Sequence, residues 1–191
     1  MGDATGVAAG RVRWTTADIE LLPDNGVRYE IIDGELFMSR APTNRHQKIC
    51  IRLAQHLANW SDESGLGDVL GAPGLVLSDT DNVIPDMIWI SKERQATLED
   101  STGHLIGVPE LVIEVLSPGA ENVRRDREAK RKLYSVQGAE EYWIVNPELQ
   151  TVEIYRRSEA DLRLVATLLR TDTLTSPLLP DFACPVARIF L

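Results

Sequence analysis

Three short apolar runs in the middle of the chain limit most strongly what it can fold into. They are GDVLGAPGLVLS at 67–78, VIPDMIWIS at 83–91 and PELVIEVLS at 109–117. Runs of this length, rich in aliphatic residues and separated by turn-forming stretches such as DTDN at 79–82, are typical of strands. We therefore expect the centre of a β-sheet in this part of the chain.

Two amphipathic stretches predict helices beside that sheet. The first, HQKICIRLAQHLANW at 46–60, follows a capping residue at Thr43 or Asn44. Its apolar residues recur at helical spacing: Ile49, Leu53, Leu57 and Trp60. The second, ENVRRDREAKRKLYSVQG at 121–138, ends at a glycine and is followed by the strand candidate EEYWIVNP at 140–147. Strands and helices in this order predict an α/β fold.

Shorter elements complete the predicted fold. RYEIIDGELFMS at 28–39 predicts a β-hairpin that turns at Asp33-Gly34, and a short helix starts at Thr15 or Thr16 and stops before Pro23. TVEIYRRS at 151–158 and LRLVATLL at 162–169 predict a second hairpin. The Pro-rich segment at 174–190 is interpreted as irregular. We expect a flexible tail at 1–14 and a single domain at 15–191.

The charge balance restricts the possible partners. There are 20 Lys and Arg residues against 29 Asp and Glu residues, a net charge of −9. This opposes general affinity for nucleic acid, so any such contact must be local, and the basic run RRDREAKRK at 124–132 is the candidate for it. Cys50 and Cys184 are interpreted as free thiols in a reducing cytoplasm. No signal peptide or membrane span is expected, and zinc is not expected because His56 and His104 lack ligand spacing.

Two carboxylates interrupt the apolar strand candidates. Because side chains alternate across a strand, Asp86 shares a face with Ile84, Ile88 and Ile90, and Glu114 shares one with Val112 and Leu116. Charges on a buried face need partners or a metal ion. If the two strands are neighbours, both carboxylates can converge on one hard cation such as Mg²⁺. Glu110 lies about 13 Å from Glu114 along the strand and is a poor co-ligand.

Helical phase adds a lysine to this pair. At 100° per residue one side of the second helix carries Asp126, Ala129, Lys130, Leu133, Tyr134 and Gln137. Lys130 therefore leans toward the sheet, whereas Arg131 and Lys132 are interpreted as solvated. A lysine aimed at two carboxylates can hold an attacking water or offset charge on a phosphate. The structural alternative is a buried ion pair between Lys130 and Glu114.

Taken in order, these motifs resemble a known family. Pro85-Asp86, then IEVLSP at 113–118, then RDREAKRKLYSVQGAEEYWIVNP at 125–147 are similar to the restriction endonuclease family of Uma type, within the PD-(D/E)xK nuclease superfamily. YEIIDGEL at 29–36 and RHQ at 45–47 extend the resemblance over roughly 15–190. It implies a restriction-endonuclease-like core with a central mixed β-sheet flanked by helices and an N-terminal β-hairpin.

The resemblance also implies roles for individual residues. Asp86 and Glu114 would bind the metal and Lys130 would be the catalytic lysine, while Glu30, His46 and Gln47 would contact the ligands or metal-bound water. The superfamily's usual lysine position, two residues after the second acidic residue, is Leu116 here. The lysine of this family lies instead on the following helix, where Lys130 matches.

The resulting prediction is an Mg²⁺- or Mn²⁺-dependent endonuclease that cuts nucleic acid, with DNA favoured over RNA. A homodimer is plausible because many such nucleases pair two active sites. One alternative is an inactive nuclease-fold binding or scaffold module, which the net negative charge favours. Another is a purely structural ion network in a protein with unrelated partners.

Overall fold

The computed structural model describes residues 12–191, and these form a mixed α/β structure. The strands are β1 (Arg28–Ile32), β2 (Glu35–Ser39), β3 (Gly67–Gly71), β4 (Leu75–Ser78), β5 (Asp81–Val83), β6 (Met87–Ser91), β7 (Leu111–Val115), β8 (Glu141–Asn146), β9 (Thr151–Ser158), β10 (Asp161–Leu168), β11 (Thr173–Ser176) and β12 (Leu179–Pro185). The helices are α1 (Thr16–Ile19), α2 (Asn44–Ser64), α3 (Lys92–Leu98), α4 (Ala120–Arg124), a π-helical segment (Arg125–Lys130), α5 (Arg131–Gln137) and α6 (Val186–Ile189). The predicted tail at 1–14 falls mostly on residues 1–11, outside the described residues.

A six-stranded sheet in the order β10-β9-β8-β7-β6-β3 forms the centre of the fold. Strands β7 and β8 run parallel, whereas every other neighbouring pair in this sheet is antiparallel. The predicted central mixed sheet is therefore confirmed. The N-terminal hairpin of β1 and β2 belongs to a second sheet, of order β2-β1-β5-β4. Its turn has positive φ angles at both Asp33 and Gly34, as its sequence predicts.

Helices cover both faces of the central sheet. On one face α2 packs its buried residues Ile49, Leu53 and Leu57 against the strands. On the other face α5 contributes Leu133 and Tyr134 to a second apolar cluster. Since β7 and β8 are buried on both faces, every residue of β7 is buried, including Glu114.

The second predicted helix is continuous from 120 to 137 and ends at Gly138, whose φ of 94° is left-handed. Its middle is π-helical, which the sequence pattern did not predict. Wider π-helical turns inside helices occur frequently at functional sites. Asp126 and Lys130 are the two buried residues of this segment.

Two of the predicted strands are divided in the structure. The run 67–78 forms β3 and β4, which belong to different sheets, because the chain turns at 72–74 through a positive φ at Ala72. The run 83–91 yields the end of β5 and then β6, since Pro85 has no N–H to donate to a ladder. Helix α3, directly after β6, was not predicted.

The prediction of an irregular C-terminal segment was wrong. Residues 173–185 form the hairpin of β11 and β12, and α6 follows it. Alternate side chains of β12, Phe182 and Cys184, are buried against the sheet, which gives a strand its amphipathic pattern. The prolines that suggested irregular structure are tolerated because a two-stranded ribbon consists of edge strands.

One close approach in the central sheet gives a test of the fold. A Cβ atom on Gly67 would lie 2.2 Å from the Ile90 carbonyl oxygen and 2.8 Å from the Trp89 ring. We expect Gly67→Ala to lower the free energy of unfolding by about 1–3 kcal/mol, since overpacking forces the backbone to shift. Urea denaturation measures this. Gly71→Ala at the other end of β3 is the control, because no atom of residues 12–191 lies within 4 Å of its Cβ position. An equal loss in both variants would contradict the packing argument.

None of the helices in residues 12–191 combines the length and apolarity that a bilayer crossing requires.

Candidate active site

Asp86 and Glu114 meet where β6 and β7 pair. Met87 lies opposite Ile113 and Ile88 opposite Val112, so the same register extended by one residue places Asp86 opposite Glu114. Asp86 itself precedes β6 and does not lie within a strand, which differs from the predicted face pattern. Its Oδ2 accepts a hydrogen bond of 2.9 Å from the Val115 backbone N–H. Strands β6 and β7 are therefore neighbours in the sheet, as predicted.

Lys130 extends from the π-helical segment into the same region. Its Nζ lies 2.7 Å from Glu114 Oε1 and 2.7 Å from Glu30 Oε1, and its side chain is 1% exposed. Glu30 is fixed on β1 and also accepts a hydrogen bond of 2.8 Å from the Ile84 N–H. The Tyr134 hydroxyl donates to Glu114 Oε1 at 3.3 Å. Three elements thus hold one lysine between two carboxylates.

Burial and mutual attraction set the ionisation of this group. Burial raises the pKa of Glu114 to about 8, against the attraction of Lys130. Burial acts in the same direction on Glu30, but there the positive charges of Lys130 and Arg125 outweigh it and hold the pKa below its ordinary value. Burial would lower the pKa of Lys130, yet Glu114 and Glu30 raise it above its ordinary value. Lys130 therefore stays protonated, and the pKa of Glu114 lies well above the ordinary value of a carboxyl group.

His46 lies on the other side of Asp86. It is only 5% exposed, and the cap of α2 is Thr43. Its Nε2 lies 3.1 Å from Asp86 Oδ2. Burial would lower the pKa of His46, but its hydrogen bond with Asp86 outweighs this and raises the pKa to about 10. The same contact overcomes the effect of burial on Asp86 and lowers the pKa of that carboxyl.

The site contains three charged residues that the sequence reading did not assign. Arg28 Nη1 lies 3.7 Å from Asp86 Oδ1. Arg125 Nη1 lies 3.7 Å from Glu30 Oε2, and its Nε donates to Asp126 Oδ1 at 3.1 Å. Strand alternation could have found Arg28, which is two residues before Glu30, and helical spacing could have found Asp126, four residues before Lys130. No sequence signal singles out Arg125.

These side chains surround a small cavity, the carboxylate cavity, with a volume of about 40 Å³. Its lining includes Arg28, Glu30, Arg40, His46, Asp86, Glu114, Arg125 and Lys130. Gln47 is exposed and instead lines a neighbouring cavity of about 230 Å³ that also reaches His46 and Asp86. Of the six residues predicted for the site, five therefore line one cavity and Gln47 lies beside it.

The donor set of the carboxylate cavity fits a hard divalent cation. Lys130 and Tyr134 both contact Oε1 of Glu114, so among residues 12–191 its Oε2 is left for a further ligand. Asp86 Oδ1 has Arg28 at 3.7 Å as its charged neighbour. Carboxylate oxygens of this kind, with backbone carbonyls and water, are the ligands that Mg²⁺ prefers.

The basic run at 124–132 is mostly engaged inside the protein. Arg127 pairs with Glu153, and Lys130 is buried as described. Arg131, which was predicted to be solvated, lies with its guanidinium 5.6 Å from the centre of the Tyr155 ring. Lys132 is exposed, as predicted. The run therefore offers less free positive charge than its sequence suggests.

A family model described as "Putative restriction endonuclease", Uma2, matches residues 16–187. No curated protein matches the sequence.

Two solved structures are similar to the chain. A putative nuclease belonging to DUF820 from Anabaena variabilis has a TM-score of 0.73 at 17% identity, over 92% of this chain and 97% of that one. At this identity the likeness shows a shared fold. The type IIG restriction endonuclease BpuSI, at 14% identity, aligns over 76% of this chain and 15% of its own length with a TM-score of 0.42, too distant to bear on function. Because the family model spans nearly the whole length, this chain belongs to the Uma2 restriction endonuclease family.

Proposed function

We propose that the protein is an Mg²⁺- or Mn²⁺-dependent endonuclease that hydrolyses phosphodiester bonds in DNA. The observation that carries the proposal is the buried Lys130 ammonium, held 2.7 Å from both Glu30 and Glu114 in a cavity that Asp86 also lines. A buried cation beside several carboxylates is expensive to maintain for stability alone. Family membership and the nuclease-like fold support a hydrolytic role.

In this proposal Asp86 and Glu114 hold the cation, with the carbonyl of Val115 between them. The bound ion would polarise the scissile phosphate and lower the pKa of a coordinated water. Val115 lines the carboxylate cavity, and its N–H donates to Asp86 Oδ2 at 2.9 Å. His46 keeps the Asp86 carboxylate ionised and oriented from the opposite side.

Lys130 positions the attacking water or offsets the negative charge that develops on the phosphate. Glu30 fixes the direction of the Lys130 side chain, because Glu30 is itself held by the Ile84 N–H and by Arg125. Glu30 is thus a positioning residue. Such preorganisation matters because a charged donor aimed in advance costs no reorganisation during the reaction.

Two arginines at the carboxylate cavity can bind DNA locally in spite of the net charge of −9. Arg40 is exposed and Arg28 is partly exposed, and both line the cavity. We propose that they contact the phosphates that flank the scissile bond, in place of the basic run at 124–132. A local contact of this kind weakens with increasing salt.

Cleavage of supercoiled plasmid and single-stranded DNA tests the proposal. We expect the wild type to cut with Mg²⁺ or Mn²⁺ and to stop when the metal is chelated, and we expect Asp86→Ala to be inactive. Lys132→Ala on the same helix is the control and should cut normally, because Lys132 is exposed. Equal activity in Asp86→Ala and wild type would reject the assigned site. A wild type that binds DNA without cutting it would favour the scaffold alternative.

Metal affinity should depend on pH. Since the pKa of Glu114 is about 8 without metal, cation binding must displace a proton from this carboxyl at neutral pH. We expect the apparent affinity for Mg²⁺ to rise by up to about tenfold per pH unit as the pH approaches 8 and then to level off. The Mg²⁺-induced shift in melting temperature measures this. If the affinity for Mg²⁺ is the same at about pH 6 and about pH 8, Glu114 is not a ligand of the ion.

A cytoplasmic location and a homodimer remain predictions. The two cysteines are free thiols, which supports a reducing compartment. Sedimentation equilibrium with and without a DNA duplex measures the oligomeric state.

A further inference from the structure

We propose that His46, Cys50 and Asp86 form a second cation site, selective for soft divalent ions such as Zn²⁺, and that its occupancy withdraws Asp86 from the carboxylate cavity. The metal-binding part of this inference stands on the geometry of the three residues. Its inhibitory consequence rests on the proposed nuclease function.

The three donors are brought together by one helix and one strand end. His46 and Cys50 are four residues apart on α2 and therefore face the same way, which is the spacing that helical metal sites use for two ligands. Cys50 Sγ lies 3.5 Å from His46 Nδ1, and His46 Nε2 lies 3.1 Å from Asp86 Oδ2. One donor atom from each residue falls within 4.8 Å of the other two. Ligands of one tetrahedral Zn²⁺ lie within about 4 Å of each other, so a movement of roughly 1 Å suffices.

The donor chemistry differs from that of the carboxylate cavity. A thiolate and an imidazole with one carboxylate select Zn²⁺ or Co²⁺ over Mg²⁺, which prefers oxygen ligands. Three protein ligands also leave a fourth position for water. The expectation that zinc has no site was based on the spacing of His56 and His104, and it did not consider His46 with Cys50.

The second cation site faces a cavity beside the carboxylate cavity, and the two cavities share Arg28, Pro42, His46 and Asp86 as lining residues. His46, Cys50 and Asp86 line the neighbouring cavity of about 230 Å³, together with Gln47. Asp86 and His46 also line the carboxylate cavity, so Asp86 is a wall between the two. An ion bound to Asp86 from the Cys50 side competes with one bound from the Glu114 side. Zn²⁺ should therefore inhibit at a site that Mg²⁺ does not fill.

Co²⁺ binding tests the site without any reference to cleavage. Coordination of Co²⁺ by a thiolate gives a charge-transfer absorption band in the near ultraviolet, and Zn²⁺ should abolish the band by displacement. We expect the wild type and Cys184→Ala to give the band and Cys50→Ser to lose it, because the chain has only these two cysteines. Calorimetric titration with Zn²⁺ should show affinity reduced by about tenfold or more in Cys50→Ser. Absence of the band in the wild type, or its retention in Cys50→Ser, would overturn the site.

The inhibitory part is tested on the nuclease itself. Cys50→Ser should keep its Mg²⁺-dependent cleavage and should resist Zn²⁺ concentrations that stop the wild type. If both proteins are inhibited equally, Asp86 is not shared in the way proposed. If the wild type never cuts DNA but gives the Cys50-dependent band, the proposed function fails and the second cation site stands.

Discussion

Replacing Lys130 with Met is expected to lower the free energy of unfolding by about 3–5 kcal/mol. The substitution keeps most of the side-chain volume but removes the charge that lies 2.7 Å from Glu30 and from Glu114. The buried Glu30 carboxylate then loses the ammonium group beside it, and Glu114 loses the charge that opposes its protonation. Removal of one member of a buried ion pair costs more than the pair contributes, because the partner charge stays desolvated.

Urea denaturation in the absence of metal measures this loss. Lys132→Met is the matched control, since Lys132 is exposed on the same helix, and we expect a change within about 0.5 kcal/mol. Adding Glu114→Gln to Lys130→Met should recover part of the lost stability, because the two residues are in direct contact. A small change in the free energy of unfolding in Lys130→Met would contradict a stabilising charge at Lys130. Fully additive losses in the double variant would contradict direct coupling between Lys130 and Glu114.

Glu114→Gln is expected to reduce metal-dependent cleavage by about 10³-fold while the protein remains folded. The amide has the shape of the carboxylate but cannot balance the charge of a divalent cation. Because burial already disfavours the ionised form of Glu114, loss of that charge should cost little stability. The plasmid-cutting rate at saturating Mn²⁺ and the melting temperature together separate loss of chemistry from loss of fold.

Glu110→Gln is the control for this change. Glu110 precedes β7 and accepts hydrogen bonds from the Ser91 N–H and hydroxyl, at the far end of the strand from Glu114. It should cut DNA at nearly the wild-type rate. If Glu110→Gln and Glu114→Gln lower the cleavage rate equally, the substitutions act by disturbing β7 and not by weakening cation binding.

The sequence was sufficient to predict that Asp86, Glu114 and Lys130 lie together, because the two carboxylates interrupt apolar strand candidates and Lys130 shares a helical face with apolar residues. Glu114 stands within LVIEVL, which otherwise has the composition of a central strand, and Lys130 keeps its helical phase with Leu133 and Tyr134. The π-helical segment did not spoil that prediction, since it ends at Lys130 and the α-helical phase resumes directly afterwards.

Other parts of the site depend on contacts between distant segments, which local patterns do not specify. The salt bridge between Arg125 and Glu30 joins residues 95 positions apart, and it exists because the sheet containing β1 packs beside the π-helical segment. The contact of His46 with Asp86 has the same origin, because it depends on how α2 lies over the strand end. The C-terminal hairpin was missed because proline content outweighed the alternation of apolar residues.

The position of Lys130 separates folding from metal loading. Its ammonium group lies 2.7 Å from Glu30 and from Glu114, so these buried carboxyl groups have a cation beside them without a divalent ion. Small zinc domains behave differently, because they stay unfolded until the metal binds. Under the proposed function, this protein can therefore fold with the carboxylates already in place before a cation binds.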